Sequence, residues 1–298
     1  TMPSQLQLPK ISVGIPVYNG ELTISRALDS LLSQTYKNFE IIISDNASND
    51  KTSLICQDYA NHDKRIRYIR QERNIGAARN FRFVLDKASS DYFMWSACDD
   101  LRSPNFLEEN LRFLVDNPSY VASTCPNCME GEVGDKNKLI EFALDQKLED
   151  RFYAFFDNCW KSHGIFYAVM RTSVIRNCVH GFQDISLGAD WLVILSLASK
   201  GPINRTRTGL MVSGKTGISN SLGRWQKFRN RSIHWFLPFY SFSSHALRLS
   251  QGFYLRDRLR IVWRLILLNA YAALKQVIWE ALRSIPAGNA LLKRKMPG

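Results

Sequence analysis

The stretch Phe93–Asp100, FMWSACDD, decides how this chain is read. Its first half is a short apolar run of the kind that forms a buried strand. Its second half sets two adjacent carboxylates, Asp99 and Asp100, where that strand would leave its sheet. In an open α/β sheet the crevice beyond the carboxyl ends of the strands is where ligands bind, and paired carboxylates there suit a hard divalent cation carrying phosphates. Taken alone, an Asp-Asp dipeptide also fits a solvated turn or a helix cap. The flanking sequence has to decide.

Toward the N-terminus, Ile11–Val17, ISVGIPV, reads as a strand closed by the turn signal Tyr18-Asn19-Gly20, and Ile24, Leu28, Leu31 and Leu32 then recur at helical spacing. A second strand, Phe39–Ser44, ends in Asp45, followed by Asn46, Ser48 and Asp50. A carboxylate at such a strand end can accept the N3 hydrogen of uracil or thymine, a donor that cytosine lacks. An Asp/Asn-rich turn with Asn49 or Asp50 capping the next helix is the other reading. A third strand, Ile66–Arg70, leads to Asn74, Gly76 and Asn80 and to a helix through Phe83, Val84 and Leu85. After the FMWSA strand, Ser103 is expected to cap a helix with Pro104 at its first position and Leu107, Leu111, Leu114 and Val115 on its buried face. Four alternations of strand and helix predict a mostly parallel sheet with crossover helices, with Asp45 and Asp99/Asp100 at one end of it.

The segments IPVYNGE, DNASNDKT, NIGAARNF and FMWSACDDL, in this order and spacing, resemble the family 2 glycosyltransferases, inverting enzymes of the type A glycosyltransferase fold. The likeness covers roughly residues 10 to 220. It implies an α/β fold with a mostly parallel, Rossmann-like sheet and flanking helices, and a nucleotide-sugar donor, UDP- or dTDP-linked, bound over that sheet. By the same resemblance Pro16 and Tyr18 sit beside the base, Asp45 contacts it, Asn80 belongs to the donor site, and Asp99 looks toward the ribose or the sugar. Asp100 would bind a Mn or Mg cation bridging the diphosphate. The chemistry agrees, because a nucleoside diphosphate leaving group needs its charge neutralised.

Past residue 117 the expectations are a strand at Tyr120–Thr124, a loop at Glu130–Lys138, a helix at Asp150–Trp160, and strands at His163–Arg171, Ile203–Arg207 and Leu210–Val212. His163 reads either as a group facing the acceptor or as a structural hydrogen-bonding residue. Asp190, in Gly188-Ala189-Asp190-Trp191 ahead of the apolar run Leu192–Ala198, reads on its own as a helix N-terminal acid. The resemblance makes it the catalytic base that takes the acceptor hydroxyl's proton, with Asp184 in reserve and Ala189 standing where relatives carry a Glu. In SGKTGISNS, Lys215 occupies the position of a family histidine. A lysine there can hold phosphate oxygens as a point charge but is not a metal ligand at neutral pH.

Composition sets the limits around this reading. A chain of 298 residues with 45% hydrophobic residues buries a sizeable core. The six cysteines end at Cys178, and the lone Cys125-x-x-Cys128 has no partner motif, so free thiols and a reducing compartment are expected. Nothing at the N-terminus reads as a signal peptide. Of the 39 Lys and Arg, 14 fall in residues 221–298 with only Asp257 and Glu280 against them, so the +12 net charge lies there and residues 1–220 are neutral. Two parts follow: a catalytic, nucleotide-sugar-binding domain over 1–220 and a basic, aromatic-rich helical region over 221–298.

In that region, helical over Trp225–Ser284, Arg256, Arg260 and Arg264 share one face beside Trp263, Ile266, Leu267 and Leu274. The Trp235–Phe242 run WFLPFYSF has the aromatic content of a membrane interface. A transmembrane span is not expected, because only ten residues, Asn269 among them, separate Arg264 from Lys275, against about 20 needed. Contact with an anionic membrane surface and packing on the catalytic domain or a second subunit of a homo-oligomer are the two readings of this region. No nucleic-acid module is legible. The function expected is metal-dependent inverting transfer to a hydroxyl of a glycan or lipid-linked glycan, as in polysaccharide biosynthesis, in the cytoplasm or peripherally at the inner face of the cell membrane. The alternative is a non-catalytic nucleotide-sugar binder or basic-tailed binding module, which would have no use for Asp190.

Overall fold

Every residue of β1 (Ile11–Val17) is buried, which a run of Ile and Val tolerates only when both faces of its sheet are covered. This strand organises the computed structural model, which describes residues 8–179, 187–215 and 232–284. On one side β1 pairs in parallel with β2 (Phe39–Asp45), in register from Ile11 opposite Phe39 to Val17 opposite Asp45. On the other it pairs in parallel with β4 (Tyr92–Trp95), but only as far as Gly14 opposite Trp95. Pro16 lies beyond that last rung, where its missing N–H removes no bond to β4. β3 (Ile66–Arg70) extends the sheet outside β2.

Three helices, α1 (Ile24–Leu32), α2 (Thr52–His62) and α3 (Ala77–Asp86), make the crossovers between these four strands. α1 turns Ile24, Ala27, Leu28 and Leu31 inward. Contact between α3 and β1 is close enough to demand glycine: a Cβ at Gly14 would lie 2.7 Å from a Val84 methyl and 2.9 Å from the Phe93 ring. After β4 come β5 (Leu101–Arg102), α4 (Phe106–Asp116), β6 (Ala122–Thr124), β7 (Asn127–Met129), α5 (Leu148–Asn158), α6 (His163–Phe166), β8 (Val169–Arg171), α7 (Thr172–Cys178), α8 (Ala189–Lys200), β9 (Ile203–Arg205) and β10 (Met211–Ser213). The main sheet has seven strands in the order β3-β2-β1-β4-β8-β6-β9, with β8 antiparallel to both neighbours. A small sheet, β5-β10-β7, stands apart from it. In the main sheet the strand order reverses at β1, so the crevice between the ends of β1 and β4 is the topological switch point at which such sheets bind ligands.

The hydrophobic centre lies under β4. Trp95 stacks on Phe166 at 4.9 Å and 5° and meets Phe93 edge-on at 5.2 Å, while its indole N–H donates to the Phe81 carbonyl at 3.0 Å. α8 is buried all round from Trp191 to Ala198, as its uniformly apolar sequence requires. All six cysteines are free thiols, Cys125 and Cys128 included.

By contact the chain divides into two compact units, Thr1–Ile185 with Asp190–Ser221, and Ser186–Ala189 with Leu222–Gly298. In the second, a 3₁₀ turn at Ser232–Trp235 precedes α9 (Tyr240–Leu249) and α10 (Leu255–Ser284). Asn269 clamps the helix pair. Its carbonyl oxygen accepts the Phe239 N–H at 2.9 Å, and its amide donates to Ser243 Oγ and the Leu265 carbonyl, both at 2.9 Å.

Four sequence expectations change. His163–Arg171 is not one strand but α6 followed by β8. Gly164 packs so closely on Asn127 that a Cβ there would collide with its carboxamide, and Gly164 O accepts from Thr124 Oγ1, so tertiary contacts outweigh the β-rich composition. Ser103 caps nothing: α4 begins at Phe106, and the Ser103 hydroxyl donates to Asn105 Oδ1 and accepts the Leu210 N–H. Glu130–Lys138, expected as loop throughout, contains a 3₁₀ turn at Lys136–Lys138. Finally, α10 is continuous through Arg264 and Lys275, and its 27 residues Leu255–Ala281 are long and apolar enough, by length and composition, to cross a bilayer. The ten-residue run is therefore not the measure of this helix, and length and composition alone neither place it across a bilayer nor keep it out.

Candidate active site

At the rim of the crevice, the loop after β1 and the loop after β2 are laced together. The amides of Asn19, Gly20 and Glu21 donate to Ser48, Thr52 and Asp50, and the amides of Asn49 and Lys51 donate back to Asn19 and Glu21. Asn19 and Ala47 take left-handed backbone conformations, φ 53° and 59°, to make these turns. This lacing fixes Pro16, buried at the end of β1, and presents Tyr18, 46% exposed, at the rim.

Asp45 is fully buried. Its Oδ1 accepts the Ser48 amide at 2.9 Å, and its Oδ2 accepts the Tyr68 hydroxyl at 2.7 Å and Arg70 Nη1 at 3.0 Å. Three donors leave a carboxylate one acceptor position. Tyr68 and Arg70 escaped the sequence reading, although the register that sets Arg70 directly opposite Asp45 follows from aligning the ends of β2 and β3. Asn80, expected in the donor site, is buried against β2: Ser44 Oγ donates to its Oδ1 at 2.6 Å, and its amide donates to Ser44 O at 2.9 Å. Its observed work is to tie α3 to the strand that carries Asp45.

Below β4, pairing of β5 with β10 brings the chain after Ser213 over the acidic pair. Gly214 N–H donates to Asp100 Oδ1 at 3.1 Å, across 114 residues of sequence. A Cβ on Gly214 would collide with the Asp99 carboxyl, so only glycine lets the backbone approach this closely. Asp100 is buried, and its Oδ2 has no partner among the described residues. Burial raises its pKa, Asp99 adds to the rise, and Arg102 and His163 oppose it. The Arg102 guanidinium is itself buried, donating to Ser96 Oγ at 2.7 Å and Trp95 O at 3.3 Å, and burial lowers its pKa. Lys215, the next residue along, is exposed.

Asp190 occupies the first turn of α8. It is half-buried as a residue, and enclosure of its carboxyl raises its pKa while His163 works against the rise. Tyr167 connects the two acidic positions. Its phenol is pushed well above the usual range, first by burial and then by Asp100, Asp99 and Asp190. The His163 ring meets the Tyr167 ring edge-on at 5.0 Å and acts on both Asp100 and Asp190. The fold therefore gathers Asp99, Asp100, His163, Tyr167 and Asp190 into one electrostatic cluster. Tyr167 was missed because it sits in the segment misread as strand. Asp184 lies outside the described residues. Among the described residues no three His, Cys, Asp or Glu side chains are grouped so as to hold a metal ion.

A mostly parallel α/β sheet with laced loops over its switch point and acids at the rim defines an α/β protein with a ligand crevice at its strand ends. Its family can be stated. The model described as "Glycosyl transferase family 2" matches residues 12–179, and this chain belongs to that family. It is 39% identical over 113 residues to the putative glycosyltransferase EpsE of Bacillus subtilis (strain 168), a stretch that covers 38% of this chain and 41% of that one. To the glycosyltransferase GlyA of Streptococcus pneumoniae serotype 4 it is 36% identical over 114 residues, 38% of this chain and 16% of that one. The match thus spans less than half the length of these curated relatives. Among solved structures, S. aureus TarS 1-349 in complex with UDP-GlcNAc superimposes with a TM-score of 0.64 at 17% identity, over 88% of this chain and 73% of that one. The mannosyltransferase PcManGT from Pyrobaculum calidifontis, in complex with GDP-Man and Mn2+, gives 0.53 at 16% identity, over 97% and 80%. At these identities the structural likeness concerns the fold, which is of the type A glycosyltransferase kind.

Proposed function

We propose that the chain transfers a sugar, with inversion, from a nucleoside diphosphate sugar to a hydroxyl of a glycan or lipid-linked glycan. The observation that carries this reading is the acid pair in the turn after β4, over which Gly214 packs while Asp100 Oδ2 stays buried with no partner among the described residues. Asp190, which opens α8, acts with this pair on the buried Tyr167 phenol. Asp190 takes the proton of the attacking hydroxyl, and a raised pKa makes it a stronger base at any pH where it is still ionised. Tyr167 stays protonated and able to donate a hydrogen bond. Asp99 turns toward the ribose or sugar, and Lys215 supplies positive charge for phosphate oxygens.

Asp100 fits a hard divalent cation, Mn2+ or Mg2+, because it offers a buried oxygen with no partner among the described residues and a carboxyl whose burial Arg102, His163 and the Gly214 N–H offset only in part. With no group of three such side chains among the described residues, diphosphate oxygens and water would have to supply most of the shell. Such a cation, when bound, neutralises the charge of the departing diphosphate.

For the donor we assign a uridine or thymidine diphosphate sugar, read through the last acceptor position of Asp45 with Tyr68 and Arg70 holding the carboxylate in place and Pro16 and Tyr18 flanking the base. The UDP-GlcNAc bound in TarS supports uridine, while GDP-Man in PcManGT keeps guanine, which also carries an N–H donor, among the nucleotides to be tested. A lipid-linked acceptor would require a peripheral location at the inner face of the cell membrane. Thermal denaturation with nucleotide and Mn2+ or Mg2+ tests the donor site: UDP with metal raises the Tm and CDP does not. An equal shift with CDP would remove Asp45 from base recognition.

A further inference from the structure

We propose that the exposed side of α10 lies along an anionic lipid surface, its apolar side chains in the headgroup boundary and its arginines on lipid phosphates. The inference rests on the peripheral location proposed above and on neither the donor nor the base assignment. One side of α10 is already covered: Ile261, Leu265, Leu268 and Ala272 are buried, and Asn269 binds α9. On the other side Leu255, Leu259, Trp263, Ile266, Leu267 and Leu274 are between 51% and 71% exposed. A helix meant to face water carries polar residues there, and monomeric soluble proteins rarely expose a contiguous apolar face of this length.

Charge selects the occupant. Arg256 and Arg260 stand among these apolar residues, with side chains 77% and 50% exposed, each within 3.8 Å of Asp257. Residues 221–298 hold 14 basic residues and two acids, a balance that complements phosphate headgroups and would repel a second copy of the same surface. The helix lies in the plane of the surface rather than across it for two reasons. Arg256, Arg258, Arg260 and Arg264 fill its first three turns, and each is expensive in the bilayer core. In addition, buried Asp257, Asn269 and Gln276 occupy its covered side, so α10 has an apolar face and not an apolar circumference.

Co-sedimentation of the full chain with vesicles of phosphatidylcholine, with and without phosphatidylglycerol, tests this. Binding to the mixed vesicles should weaken as salt rises. Arg256→Gln with Arg260→Gln should lower that affinity by about 25-fold, about fivefold for each charge lost. Leu259→Ser with Trp263→Ser should lower it by about tenfold or more, since the apolar contact goes. The UDP-and-metal thermal shift should be the same in all four proteins that make up these two double variants, the parent and the combination. No pelleting, or pelleting that ignores both phosphatidylglycerol and the arginines, overturns the proposal. A dimer in light scattering that Trp263→Ser disrupts assigns the face to a second copy instead, and retention on membranes in alkaline carbonate assigns it to a span. Should the donor reading fail while the membrane reading holds, the parent shows vesicle binding without the nucleotide shift.

Discussion

At the scale of single residues, the site turns on a carboxyl oxygen, Asp100 Oδ2, buried without a partner, and on a carboxylate, Asp45, buried with three. Leaving a buried acceptor unpaired costs about 1–3 kcal/mol, so the metal-free fold already bears that burden at Asp100. Asp100→Ala removes that burden and gives up the one bond from Gly214, worth about 1 kcal/mol, so metal-free stability should hold or rise by up to about 2 kcal/mol while the metal-dependent rise in Tm is abolished. The pH dependence has a definite sign. Because the folded pKa of Asp100 is raised, the folded state binds its proton more tightly, so this residue's contribution is greatest below the unfolded pKa and is lost as pH rises through the folded one. That loss should be missing from the stability profile of Asp100→Ala. Asp45 and Asp100 were both legible in the sequence because each ends a run with strand periodicity. Tyr68 and Arg70 were not, since they act across a register that appears only when two strand ends are aligned.

At the scale of elements, close approach decides more than composition does. Gly14 lets α3 lie on β1, and a methyl there would push against Val84 and Phe93, both locked in the core. Gly14→Ala should lower stability by about 1–3 kcal/mol, read as a fall in urea midpoint with an unchanged slope. A retained midpoint would mean that α3 can move away freely. Elements with several turns or rungs were readable: β1 to β4 and α1 to α4 follow the expected order because apolar period and turn signals agree along each. Elements of three or four residues were not. α6, β7 and β8 carry too little period to declare a type, and their form is set by contacts such as Gly164 on Asn127 and Phe166 on Trp95. α10 shows the opposite difficulty, for charged residues that interrupt a linear hydropathy run do not interrupt a helix whose other faces are apolar.

On the scale of the whole molecule, the candidate catalytic cluster is a product of folding alone, for Asp100, from the middle of the family-matched stretch, and Asp190, from beyond its end, both act on the buried Tyr167 phenol. The resemblance pointed to Asp100 through FMWSACDDL and to Asp190 through the Gly188–Trp191 segment, but only their joint effect on Tyr167 gives them a shared setting. The central claim is that Asp190 is the base of a sugar transfer whose donor is held by other residues. Its most direct measurement is transfer from a nucleotide sugar that the protein binds, compared between the parent and Asp190→Asn over a range of pH, beside nucleotide and metal binding in the same samples. The account predicts binding within a few-fold of the parent and a transfer rate lower by about 10² to 10⁴. It also predicts a parent rate that falls on the acid side at a higher pH than an unperturbed aspartate would give, with that limb absent from the residual rate of Asp190→Asn. Transfer within a few-fold of the parent in Asp190→Asn, with the acid limb intact, would contradict it.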